Sequence, residues 1–147
     1  MRVMFLVGCA LLGACSGSPD KKDAAPTISL IPQAITYPDI EANKLYGASC
    51  SYASGKSMAP IVIAFNDRAV MKVDGKIESF KLDPQCTVTR QGTGSRYLGD
   101  NRVLDLAIDG EGSKQGPESI NYMGSVKLSD GDGNVLYQTD GAVQCGS

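Results

Sequence analysis

The tightest constraint on this chain is a period of two in its apolar residues, broken at intervals by two-residue turn signals. From Ile120 the chain reads INYMGSVKLSD, with Ile120, Tyr122, Val126 and Leu128 on one face and Asn121, Ser125, Lys127 and Ser129 on the other. Successive side chains of a strand point to opposite faces, so this alternation specifies a half-buried strand. Asp130 to Asn134 (DGDGN) then supply turn residues, and Val135, Tyr137 and Val143 resume the same period up to Cys145. Upstream, RAVMKVDGKIESFKL carries Asp74-Gly75 at its middle, the pair that a type I′ hairpin turn requires. Pairing Val73 with Lys76 across that turn puts Ala69, Met71, Val73, Phe80 and Leu82 on one face. Further strands are expected at Tyr46–Tyr52, Ile61–Phe65, Cys86–Arg90 and Val103–Ile108.

Helix signals are confined to Asp39–Leu45, behind Pro38 and ahead of Gly47. The pattern is therefore all-β: a small antiparallel barrel or sandwich of about seven to eight strands, preceded by one short helix. The β domain is read as residues 46–147. In such a fold the first and last strands meet where the sheet closes, which favours a Cys50–Cys145 disulfide over the rival Cys50–Cys86 pairing. The bridge closes a loop that the chain-entropy treatment values at about 4 to 5 kcal/mol. Cys86 is then left over, as a small buried hydrophobe.

The N-terminus has a different character. Arg2 gives a short positive region, Val3 to Leu12 an apolar one, and Gly13-Ala14 the small residues at which signal peptides are cut. A spanning helix needs roughly 18 or more apolar residues, and this run stops short of that before Ser16-Gly17-Ser18-Pro19. Leu12-Gly13-Ala14-Cys15 resembles the lipobox of bacterial lipoproteins, in which the cysteine is lipidated and becomes the mature N-terminus. Leu6-Val7-Gly8-Cys9 fits the same pattern, but its apolar run is too short for a signal peptide. An ordinary secretory signal with an incidental cysteine is the alternative. Residues 1–14 are thus read as a removed signal peptide and 15–45 as lipidated N-terminus, tether and short helix. Acyl chains on Cys15 attach the protein to a membrane. Ser16 is not the aspartate that retains enterobacterial lipoproteins in the inner membrane, so the resemblance implies the outer membrane, with the body facing the periplasm. Ser16 to Pro26 is small, charged and proline-punctuated, the composition of a flexible tether.

Composition removes many chemistries. The chain has no histidine, which excludes Ser-His-Asp and Cys-His nucleophilic sites and histidine-ligated zinc. A formal net charge of −2 with scattered basic residues makes nucleic acid a poor partner. No cofactor motif is present. Asp105 and Asp109 share a strand face, with Glu111 and Glu118 in the following loop, and are the only credible acid/base set. With no tryptophan to stack a sugar, the protein is read as non-catalytic, these carboxylates being solvated. DGDGN begins like a calcium loop, but Val135 and Gly141 stand where glycine and glutamate are needed, so it is read as a hairpin tip without metal. RQGTGSRY lacks the spacing of a phosphate-binding loop.

Thr93-Gly94-Ser95-Arg96-Tyr97 resembles the S-G-x-[RK]-Y signature of the periplasmic and lipid-anchored inhibitors of C-type lysozyme. The order of features matches as well: a lipobox, a cysteine in the first strand, the Phe65 to Lys76 hairpin, this loop, and a terminal cysteine. The resemblance implies a small barrel with its early and late cysteines joined. It also implies a loop that enters the lysozyme cleft, in which Thr93 stands for the signature serine and Lys114 for a later lysine contacting catalytic carboxylates. The favoured reading is a lipid-anchored, non-catalytic envelope module that binds or scaffolds; the alternative is a lysozyme inhibitor acting through Thr93–Tyr97.

Overall fold

The computed structural model describes residues 30–86, 88–89, 91–114 and 116–146. The signal peptide, Cys15 and the Ser16–Pro26 tether lie outside the described residues. Within them, one helix, α1 (Tyr37–Asn43), precedes eight strands: β1 (Ser49–Ala53), β2 (Pro60–Ala64), β3 (Arg68–Val73), β4 (Lys76–Leu82), β5 (Arg96–Leu98), β6 (Arg102–Lys114), β7 (Ser119–Asp130) and β8 (Val135–Gly146). All neighbours are antiparallel and β8 returns to β1, giving a closed barrel.

The period of two becomes inside and outside. Tyr52, Val62, Met71, Phe80, Tyr97, Leu104, Val126, Leu128 and Val143 all lie in one buried cluster. Eight strands enclose a space that side chains just fill. The β3–β4 hairpin has the expected register, Val73 opposite Lys76. Asp74 and Gly75 both have positive φ, as a type I′ turn demands. Gly124 and Gly141 stand opposite each other in β7 and β8. A Cβ on Gly124 would meet the Ala107 carbonyl at 2.3 Å and one on Gly141 the Ala53 carbonyl at 2.1 Å, so both positions need glycine for close backbone approach. Cys50 and Cys145 are directly opposed across the β1–β8 seam and are disulfide-bonded.

Three expectations are corrected. Cys86–Arg90 is not a strand at any of its described residues; Pro84 follows β4 without an N–H to give, and a turn leads into a loop in which the Thr89 N–H donates to the Thr93 carbonyl. The short strand β5 takes that place in the barrel. Cys86 is buried and is not without a partner, so it is not left over. Residues 109–114 are not loop: β6 continues through a register shift between Asp109 and Ser113, absorbed by Gly110 and Gly112 at positive φ.

The segment 30–45 lies along the outer wall instead of leading away from it. Gln33 forms a bridge with Lys72 of β3, and the Ile35 N–H donates to the Pro60 carbonyl. Ile35 and Leu45 then pack on Ile63, Phe65 and Val70 in a second buried cluster. This explains why β2 and β3 are apolar on both faces. The helix starts two residues before Asp39, because Thr36 takes the N-cap position and Pro38 is harmless in a first turn. The Thr36 N–H (2.8 Å) and hydroxyl (2.7 Å) both donate to Asp39 Oδ2, which also receives Lys72 Nζ at 2.8 Å.

Two outcomes follow. The Lys72 side chain, and then the Thr36 donors, lower the Asp39 pKa from 3.8 to about 2. A lowered carboxyl pKa adds stability above the unfolded-state value, lost as pH falls through the folded-state one. The protein therefore loses stability between pH 3.8 and about 2, and Asp39→Asn flattens that part of a denaturation profile. Replacing both Cys50 and Cys145 by alanine lowers stability by about 2 to 5 kcal/mol in chemical denaturation.

Candidate functional site

The loop singled out by its sequence is pinned to the barrel. Thr93 and Tyr97 are buried, at 2% and 0% exposure. The Tyr97 hydroxyl donates to the Phe65 carbonyl and accepts from the Gly94 N–H at 2.7 Å. Thr93 points inward, its hydroxyl 3.9 Å from Cys50 Sγ and beside the hydroxyls of Tyr52 and Tyr97. Burial raises the pKa of both tyrosines. A Cβ on Gly94 would lie 2.1 Å from a Leu82 methyl, so this glycine too is fitted to its place. Three of the five signature residues thus close one end of the barrel.

Ser95 and Arg96 keep partial exposure. Arg96 lies on the outer wall, where its Nε donates to Asp105 Oδ1 at 2.7 Å. Lys114 is at the far end of β6, nine residues beyond the partner of Arg96. It lines a separate cleft of about 340 Å³ with Gln91, Glu118, Ile120 and Tyr122. Arg96 and Lys114 do not share a cleft. Asp105 and Asp109 do share the outward face of β6, but four residues of strand hold their Cα atoms roughly 13 Å apart.

The register assembles something that local patterns do not reveal. Arg96 pairs with Asp105, and Asp105 pairs with Lys127, so β5, β6 and β7 carry a row of positive, negative and positive groups. The next row holds Val103, Ser129 and Val135. A register shift between Leu128 and Ser129 bends the end of the β7–β8 hairpin. Its turn, Asp130 to Gly133, then joins the wall of a cleft of about 310 Å³ over both rows. Asp130 serves the turn itself: its Oδ1 accepts from the N–H groups of Asp132 and Asn134, and its Oδ2 from Asn134 Nδ2, all at 2.9 Å. These bonds, the Asn134 side chain first, lower its pKa. DGDGN is thus a hairpin tip closed on its own aspartate. Among the described residues no group of three or more cysteine or carboxylate side chains is placed to hold a metal ion, and no helix is long and apolar enough to cross a membrane.

Comparison with protein families, with curated proteins and with solved structures finds no match to this protein. The outward alternation of Asp105, Lys127 and Ser129 is visible in the sequence, but their alignment with Arg96 follows only from the strand register.

If Tyr97 is structural, Tyr97→Phe leaves the Phe65 carbonyl and the Gly94 N–H without a partner. It costs about 1 to 3 kcal/mol of stability, read by denaturant titration.

Proposed function

We propose that this protein is a lipid-anchored, non-catalytic component of the bacterial envelope, whose barrel acts as a binding module held at the outer membrane and facing the periplasm. The lipobox-like Leu12 to Cys15 supports the anchor. The cleft beside Arg96, Asp105 and Lys127 carries the binding reading. A rigid wall displays fixed charges there under a self-bonded turn, an arrangement suited to selecting a partner by electrostatic complementarity. A non-catalytic role agrees with the placement of the carboxylates. Asp105 is committed to Arg96, which removes it from a free acid/base pair with Asp109.

Inhibition of C-type lysozyme by Thr93–Tyr97 draws less support. The hydroxyl of Thr93 is buried, and the guanidinium of Arg96 already has a carboxylate partner.

Two measurements test the proposal together. Labelled palmitate enters the wild-type protein and not Cys15→Ser. The double variant Arg96→Gln, Lys127→Gln loses the envelope partner captured by cross-linking in cells while its far-ultraviolet circular dichroism stays that of a folded barrel. Undiminished capture removes the cleft as the binding surface, and unlabelled wild-type protein removes the anchor.

A further inference from the structure

The two sulfurs of the seam disulfide have unequal surroundings. Cys50 is 0% exposed, whereas Cys145 keeps 8% of its surface and lines the cleft of about 340 Å³ that also holds Lys114 and Glu118. The register sets this cleft at one mouth of the barrel: Cys145 stands opposite Ile120, and Ile120 opposite Lys114 at the end of β6. On the closed side, the Thr93 hydroxyl donates to Cys50 Sγ at 3.9 Å. Thr93 is itself 2% exposed, so its hydroxyl is held in the interior against the sulfur that solvent does not reach. Thiol–disulfide exchange depends on which sulfur is accessible and on how well the other leaves as a thiolate. Both conditions point the same way here.

We propose that Cys145 is a site of thiol exchange, attacked through this cleft by a small uncharged thiol, with Cys50 as the leaving group and the Thr93 hydroxyl as its hydrogen-bond donor. The external thiol reacts as its thiolate. It attacks Cys145 Sγ, a new S–S bond joins the two, the Cys50–Cys145 bond breaks, and its electron pair goes to Cys50. The external sulfur is thereby oxidised and the Cys50 sulfur reduced. The proton that the external thiol lost on ionising returns to Cys50. A buried anion is costly unless it is hydrogen-bonded, and the O–H directed at Cys50 Sγ meets that need as the thiolate departs. Lys114 and Glu118 carry opposite charges in the cleft, so charge favours neither an anionic nor a cationic thiol. The β1–β8 ladder, Ser49 to Tyr52 against Gly146 to Val143, is backbone pairing that the exchange does not break. The inference concerns the mouth of the barrel and does not depend on the binding reading of the outer wall.

The test exposes the full-length protein in detergent to excess 2-mercaptoethanol under conditions in which the barrel stays folded. Samples taken over time are quenched with acid, unfolded and blocked with N-ethylmaleimide, and both cysteines are mapped by peptide mass spectrometry. The mercaptoethanol adduct is expected on Cys145, with the maleimide on Cys50. In protein unfolded by denaturant before exposure, the adduct is expected on both cysteines in comparable amounts, because the fold alone distinguishes them. Thr93→Val slows the exchange of the folded protein by roughly two- to tenfold, the worth of one hydrogen bond, and Thr93→Ser restores it. The position of the adduct is read on the wild-type protein, so the outcome does not depend on either variant folding. An adduct found mainly on Cys50, an equal division between the two in the folded protein, or exchange that begins only where the barrel unfolds overturns the assignment. An unchanged rate in folded Thr93→Val overturns it as well.

Discussion

The seam between β1 and β8 is the contact on which the architecture depends. It pairs Ser49 to Tyr52 with Gly146 to Val143, and the disulfide lies at its second rung. An open antiparallel sheet of this length would expose two edges, each a row of unpaired backbone groups able to recruit another polypeptide. Closure removes both edges. It also encloses an interior that Tyr52, Phe80, Tyr97 and Leu128 fill, so only the outer wall and the loops are open to a partner.

The barrel is thinnest at β5, a strand of three residues with two register pairs to β4. Three devices compensate. Tyr97 reaches through the core to the Phe65 carbonyl. Arg102 Nη1 of β6 donates to both carboxylate oxygens of Glu78 of β4 at 2.8 Å, tying together the strands on either side of β5. Arg96 and Asp105 link β5 to β6 on the outside. The same short strand therefore explains why a loop that looks like a recognition element is largely structural, and why its one outward cation sits in a cleft. On the opposite wall, the 30–45 segment seals Ile63, Phe65 and Val70 from water.

Local chemistry made much of this readable from the residues. Asp74-Gly75 fixes a hairpin register because two residues at positive φ allow only one tight turn there. The alternation in β7 assigns Tyr122, Val126 and Leu128 to the core because a one-residue slip would expose all three. The β-rich Cys86–Arg90 run misled for the converse reason: propensity marks a residue that can be a strand, while Pro84 and the demands of closure decided where the fifth strand lies. The extension of β6 was hidden by Gly110 and Gly112, which read as loop until the bulge is seen. The cleft was the least legible feature. Arg96, Asp105, Lys127 and Ser129 come from three strands, and their convergence is a property of register rather than of any short motif.

Wall and cleft are physically connected. A closed barrel with a filled interior can present rigid charges on its outside, because neither edge pairing nor internal binding competes with that surface. Native-state hydrogen exchange tests closure most directly. The paired amides of β1 and β8 are expected to exchange only through global unfolding, as slowly as those of β3 and β4. Exchange at the seam through a low-energy local opening, with the β3–β4 hairpin still protected, would contradict the account.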